Sequence, residues 1–471
     1  MNTETAAYGV ALRRFFDRFQ SIVLHRVQLS RYLYYPFLYY LMNRRVLLRA
    51  LAKRPDFKHE LSRLTDAAVY SWFDEPYSYD PHPGGAVLMR GGFGDIASPY
   101  LPKERFVLLS PNQAEVDLIK LNRPDLTAHN IDGLYHENAP ALEALLRQMA
   151  GIIDGQRQDP LFGSADFRLW LAGQIPGAVR VLDAVQCLFE SLKVGAVLTI
   201  SSIVWMDGAL NLVARANRIP SFTLQHGLIL DKDLFCHVPI LAAKKMVWGN
   251  AIRDWYRKFG FPESRISVIG SPRFDIIFNQ EWCGKERLCQ MLNIDPARRI
   301  AVYATGTDRE TIVPIVLKGL QTVSGLFLIL LLHPGESSLI AQYQALTADY
   351  PNCRVVRYGH ISLYDGLSGA DFFITHCSTA GLEAMLFKLP VITVEPAPPP
   401  FSYGEPGASI RVADAAELNQ AANRLLSEPD FRRKAVDQYQ PFLSAHCLPD
   451  GLASRRLFDE VELACRTGGT V

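Results

Sequence analysis

Residues 370–396 read ADFFITHCSTAGLEAMLFKLPVITVEP. FFIT and VITV are short apolar runs rich in β-branched and aromatic side chains. Between them lies a helix-length segment opening on Ser378, Thr379 and Gly381. Strand, turn, helix and strand in that order are the repeating piece of a parallel sheet with helices on its faces. The polar turn falls at the carboxyl end of the first strand, the edge at which open α/β sheets bind ligands.

The same order recurs on either side. RIAVYATGT (299–307), LFLILLLHPGE (326–336) and RVVRYG (354–359) are strand candidates that run into turns. Further upstream come GAVLM (85–89) with RGGFGD (90–95), RFVLLS (105–110), VGAVLTIS (194–201), IPSFTLQHG (219–227), KKMVWGN (244–250) and RISVIGSPRFD (265–275). Residues 139–153, 176–193, 206–218 and 251–260 read as helices, the last closed by Gly260. This alternation predicts two doubly wound Rossmann-like α/β domains, joined near 235–245. The expected boundaries are 61–238 and 239–440. A helical, basic-aromatic extension (1–60) precedes them, and a helix in 441–471 is expected to pack back towards the first domain. APPPF (397–401) reads as a stiff loop after a strand.

Composition narrows the function. The chain has 471 residues, 49% hydrophobic and 21% charged, which excludes a disordered protein and a small disulfide scaffold. A net charge of +1 argues against a nucleic-acid partner. The eight cysteines form no CxxC pair, so neither a zinc site nor a disulfide framework is expected, and a reducing cytoplasm fits. No apolar run is long enough for a transmembrane helix. Charge is unevenly spread: residues 1–60 carry +7 and the remainder −6. Residues 10–30 read as an amphipathic helix, followed by YLYYPFLYYLMN (32–43) and NRRVLLRALAKR (43–54). Two readings stay open there. The rings pack as a helical layer on the protein's own core, or residues 1–54 lie on an anionic membrane surface.

Four turns at predicted strand ends carry the candidate chemistry. Gly306, Thr307 and Arg309 can cradle a phosphate, or simply turn the chain. His333-Pro334 offers an imidazole on a stiffened turn. Ser378 and Thr379 stand where a helix begins, as an anion site or as plain N-caps, with Glu383 one turn further on. Gln225, His226 and Gly227 close the last strand of the first half. Asp207 lies just after a buried strand at a helix start, so Asp207 and His226 are the acid/base candidates, with Asp95 third. Asp231 and Asp233 form a DxD string that reads as a loop rather than a metal site.

The succession QHG, VIGSPRFD, LLHPGE, HCSTAGLEAM and DGLAS (450–454) resembles bacterial GT-B glycosyltransferases of surface polysaccharide synthesis. It is similar to capsule Kdo transferases, CDP-glycerol glycerophosphotransferases and bacterial sialyl- and polysialyltransferases. The resemblance covers roughly residues 195–456. It implies two Rossmann-like domains facing a cleft, with a nucleotide-sugar donor in the second. His333 and Pro334 would hold the nucleotide phosphate, Ser378 and Thr379 the phosphates at the helix start, and Glu383 the ribose. Gly270, Ser271, Pro272 and Arg273, with Gln225 and Gly227, would shape the donor pocket. The polysialyltransferases carry two acids and a glycine for the general base. Here Met206-Asp207-Gly208 is the nearest match, with methionine at the first acidic position, and Asp207 is the expected base.

The function expected is inverting, metal-independent transfer from a cytidine- or uridine-activated donor to a glycan or lipid-linked glycan. No cofactor is expected, and the expected place is the cytoplasmic face of the inner membrane. A nucleotide-sugar 2-epimerase, a polyol-phosphate transferase and a non-catalytic glycan-binding protein are the alternatives.

Overall fold

In the computed structural model the apolar runs become the strands of two parallel sheets, one in each of two units. The first unit comprises Met1–Pro272 and Ser454–Val471, the second Arg273–Ala453. The structure describes all residues except 91–92, 94–95, 97–98, 136, 230–232, 307–308, 358, 398–402 and 404–406. Asp95, Thr307 and Asp231 therefore lie outside the described residues, as does much of 397–401.

The first sheet takes β1 (Ala86–Arg90), β2 (Phe106–Ser110), β3 (Thr127–Asn130), β4 (Val194–Thr199), β5 (Ser221–Leu224), β6 (Lys244–Val247) and β7 (Ile266–Val268). Their spatial order is β7-β6-β5-β4-β1-β2-β3, all parallel. Side chains alternate between two cores, as a period of two requires. Leu88, Val107, Leu109 and Val197 face one cluster. Val87, Met89, Phe106, Leu108 and Leu198 face the other. Every residue of β4 is buried, which is why its sequence reads as an unbroken apolar run.

The second sheet takes β8 (Arg299–Ala304), β9 (Leu326–Leu331), β10 (Cys353–Val356), β11 (Phe372–Thr375), β12 (Val391–Val394) and β13 (Ile410–Val412). The order is β10-β9-β8-β11-β12-β13, again all parallel. In each sheet the strand order reverses once, between β1 and β4 and between β8 and β11. Those reversals open crevices at the carboxyl edge.

The first unit extends further along the chain than the sequence pattern suggests. β6 and β7 hydrogen-bond into the first sheet, and the first unit runs to Pro272. Arg265 fixes this arrangement. Its fully buried guanidinium pairs with Asp74 at 3.1 Å and donates to the carbonyls of Ile240 and Ala242. The helix expected over 10–30 is α1 (Thr3–Phe19), followed by a small hairpin in which His25 and Arg26 both take positive φ.

The aromatic band of the extension is largely core. Phe15, Phe16, Phe19, Tyr34, Phe37 and Tyr40 are buried. Phe15, Phe19, Phe37 and Tyr40 pack on Phe162, Phe167 and Trp170, with Phe15 stacked on Phe37 at 4.3 Å, while Phe16 and Tyr34 pack on Phe73. Each such ring contributes about 1.5–3 kcal/mol by leaving water. Exposed exceptions are Tyr39 and Met42 on α2 (Tyr34–Met42) and Val46 on α3 (Arg45–Leu51).

The helix Ala453–Thr467 lays Leu457, Phe458 and Val461 against the first unit's second core. Glu460 binds Lys244 at 3.0 Å and Ser267 at 2.9 Å. Val471 and Tyr77 exchange a pair of backbone hydrogen bonds.

Candidate functional site

In the first unit the crevice lies beside Arg90, the last residue of β1, and the segment after β4. Asp207 sits in the first turn of the helix Trp205–Ala216 and is 2% exposed. Its carboxylate accepts from the backbone N–H groups of Ile200 (3.2 Å) and Ser201 (2.9 Å), and from Arg90 at 3.4 Å. Burial pushes its pKa up, against the pull of Arg90 and the two N–H groups. The carboxylate thus ties down the loop after β4. Trp205 starts the helix at φ +31, a strained value for a residue with a side chain.

A polar row runs across three neighbouring strands beneath this edge. Thr199, Thr223 and Lys245 are register partners on β4, β5 and β6. The two threonine hydroxyls meet at 2.6 Å, and Asn211 reaches both. Lys245 is buried, and its Nζ donates to the Leu224 carbonyl at 3.1 Å. Burial brings this amine down to about 7, opposed by the negative charge of Asp207. The neighbouring His237 is brought down to about 3 by burial, Lys245 and His226.

The turn after β5 is held rigidly. Gln225 is buried; its Oε1 accepts from the Trp248 N–H at 3.0 Å and its Nε2 donates to the Gly227 carbonyl at 2.9 Å. His226, between them, is exposed. Gln225 therefore staples the turn to the end of β6, and His226 stands out from it. Ser271 is buried in the same unit, next to Gly270 at φ +89.

In the second unit the crevice lies between the ends of β8 and β11. Thr305 follows β8, and its hydroxyl accepts from the His333 N–H at 2.9 Å and donates to Glu336 at 2.6 Å. Glu336 also accepts from Tyr343 at 2.8 Å. His333 caps the 3-10 helix Pro334–Leu339, its Nδ1 accepting from the Gly335 N–H at 3.1 Å. An imidazole accepting at Nδ1 carries its proton on Nε2, and the ring is exposed. Gly306 lies at the end of the same β8 turn. Arg309 turns to Gln342 at 2.6 Å.

After β11, the Ser378 hydroxyl accepts from the Ala380 N–H at 3.2 Å, the ordinary work of a cap, while Tyr403 donates to the Ser378 carbonyl at 2.7 Å. Thr379 is half-buried and makes no side-chain capping bond. Glu383 is buried on the following helix, where it accepts from Tyr364 at 2.8 Å and pairs with the half-exposed Arg273 at 3.2 Å. His376 binds the Val394 carbonyl at 2.7 Å, which joins β11 to β12 at the same edge. Among the described residues no group of three His, Cys, Asp or Glu side chains is placed to hold a metal.

The structure thus gathers Asp207, Gln225, His226 and Gly227 on one carboxyl edge and Thr305, His333, Ser378 and Glu383 on the other. Arg90, Lys245 and Tyr364 did not stand out in the sequence, and Thr305 did only as the start of the TGT turn. Two signals were there to read: a charge inside the strand KKMV, and a hydroxyl directly after RIAVYA.

No protein family and no curated protein matches the chain. Solved structures do. The UDP-GlcNAc 2-epimerase of Neisseria meningitidis, bound to UDP-GlcNAc, has a TM-score of 0.54 at 12% identity, covering 80% of this chain and 98% of that one. The S. aureus MnaA–UDP structure has 0.52 at 14% identity, covering 81% and 97%. The wall teichoic acid polymerase TagF has 0.50 at 14% identity, covering 90% and 95%. The fold is GT-B. At such identities the likeness concerns the fold. A GT-B protein has two Rossmann-like domains, and both reversals of strand order described above belong to that plan.

Proposed function

We propose that this GT-B chain is an inverting glycosyltransferase. It moves a sugar from a cytidine- or uridine-activated donor to a bacterial surface glycan, with CMP-sugars such as CMP-Kdo or CMP-sialic acid favoured. The observation that carries this reading is the second unit's edge, where the exposed His333 and the Ser378-Thr379 turn flank the point of strand reversal. His333 offers Nε2–H to the leaving phosphate, and the Ser378-Thr379 turn adds donors of its own. Glu383 takes the ribose hydroxyls, and Arg273 and Tyr364 hold its carboxylate in place.

His226 is the general base in this reading. It takes the acceptor hydroxyl's proton as the new C–O bond forms and the nucleotide leaves with the bonding pair. Exposure favours His226 over Asp207, whose buried carboxylate is already engaged by two N–H groups. Asp207 positions the loop after β4. The enzyme works without a metal, at the inner membrane face, which it meets through Tyr39, Met42 and Val46 with Arg45, Arg49 and Lys53 around them.

Thermal unfolding with CMP, CDP, UMP and UDP, with and without magnesium, tests the reading. CMP is expected to raise the melting temperature selectively, and His333→Ala to abolish the shift. With a CMP-sugar, His226→Ala is expected to lower turnover by about a hundredfold or more while leaving the CMP shift intact. The second reading is a nucleotide-sugar 2-epimerase, supported by the likeness to the UDP-GlcNAc 2-epimerases. A shift with UDP alone would select it. Silence with every nucleotide would defeat both and leave a non-catalytic glycan-binding protein.

A further inference from the structure

The second unit contains a cavity away from the Ser378 turn, along the edge strand β10. Its volume is about 650 Å³, and its lining includes Leu292, Ser337, Ile340, Arg354, Arg357 and His360. β10 is the outermost strand of its sheet, so the cavity opens at the sheet's side.

Three features of the lining point the same way. First, it is basic: it contains Arg354, Arg357 and His360, and no acid among the described residues. Second, neither arginine forms an ion pair or side-chain hydrogen bond among the described residues. Two guanidinium groups brought to one cavity repel each other unless an anion lies between them. Third, the Oγ of Ser337 is buried without a hydrogen-bond partner. A buried hydroxyl left unpaired costs about 1–3 kcal/mol, which a ligand oxygen would recover.

Guanidinium forks and a hydroxyl are the donors that recognise tetrahedral phosphate oxygens. Leu292 and Ile340 add apolar wall to the cavity. We propose that the cavity beside β10 is a phosphate-binding site, in which Arg354, Arg357 and Ser337 hold a phosphate or pyrophosphate group. This site is independent of the nucleotide chemistry assigned to the Ser378 turn. Its phosphate has two possible sources, free in solution or carried on a nucleotide.

Isothermal titration of the full chain with phosphate, pyrophosphate and CMP, at constant ionic strength, tests the site. Pyrophosphate is expected to bind the wild type and His333→Ala equally. Arg354→Ala/Arg357→Ala is expected to weaken it at least about tenfold, and Ser337→Ala by a few-fold. Arg357→Ala alone, at an exposed position, guards against a folding defect and is expected to weaken binding in the same direction. CMP affinity unchanged in the double variant assigns the site to free phosphate; CMP affinity lost together with pyrophosphate assigns it to a nucleotide's phosphate. No pyrophosphate binding by the wild type, or equal binding by the wild type and both arginine variants, overturns the proposal.

Discussion

Lys245 lies inside the first sheet, one strand from Thr223 and two from Thr199, with the Leu224 carbonyl as its hydrogen-bond partner. Its amine is brought down to about 7, whereas the unfolded chain titrates near the ordinary lysine value. Below about pH 7 both states carry the proton, and the folded state bears the full cost of a buried charge. Between that point and the unfolded pKa, the unfolded chain holds a proton that the folded chain has released, so this residue's contribution to stability rises with pH. Lys245→Met should therefore stabilise the protein by the order of a few kcal/mol at pH 6, with the gain shrinking towards pH 10. Urea denaturation at several pH values measures this. A gain that does not change with pH would mean that the amine is not held as described.

At the scale of elements, β1 and β4 approach closely where they begin. A Cβ placed on Gly85 would stand 2.6 Å from the Gly195 backbone, and one on Gly195 would stand 2.9 Å from Gly85. The register between the two strands shifts at that point. Gly85→Ala should cost about 1–3 kcal/mol through this clash. Gly173→Ala, in the helix Ala165–Ser191 with open space around it, should gain up to about 1 kcal/mol. Equal midpoints in denaturant for the two variants would contradict the close approach. Elements of this kind were legible in the sequence because strands buried on both faces read as unbroken apolar runs, and their polar ends mark the ligand edge. VGAVLT and LFLILL are such runs. The assignment of KKMV and ISV to a sheet was not legible, since periodicity describes a strand but not its neighbours. That is decided by contacts far apart in sequence, such as Arg265 with Asp74. Asp207 was legible as a residue near the crevice; its burial was not, because it depends on Arg90 and on the backbone of a loop.

Across the whole molecule, part of the +7 of residues 1–60 is answered by Asp159, Glu75 and Asp166, while Arg45, Arg49 and Lys53 stay exposed, and most of the aromatic rings are buried. Tyr39 is 61% exposed and Val46 83%, with Arg45, Arg49 and Lys53 close by in sequence. Arg45 and Arg49 lie 3.9 and 3.6 Å from Glu4, with Arg45 also close to the Tyr8 hydroxyl, and both are exposed. Each basic residue near an anionic leaflet contributes about 1 kcal/mol, and the attraction fades with salt. Arg45→Glu/Arg49→Glu should reduce co-sedimentation with phosphatidylserine vesicles by tenfold or more and flatten its salt dependence. Equal partitioning of variant and wild type would show that this face does not meet lipid. No helix among the described residues is long and apolar enough to cross a membrane.

The return of Ser454–Val471 to the first unit also orders events on the ribosome. The second unit is contiguous, so all of its strands have been synthesised while the first still lacks the helix carrying Leu457, Phe458 and Val461. Until that helix arrives, one face of the first sheet is missing its apolar cover, and Val471 has yet to meet Tyr77. The part made first is thus the part finished last: a chain ending before residue 454 carries every strand of the second unit but lacks the helix that completes the first.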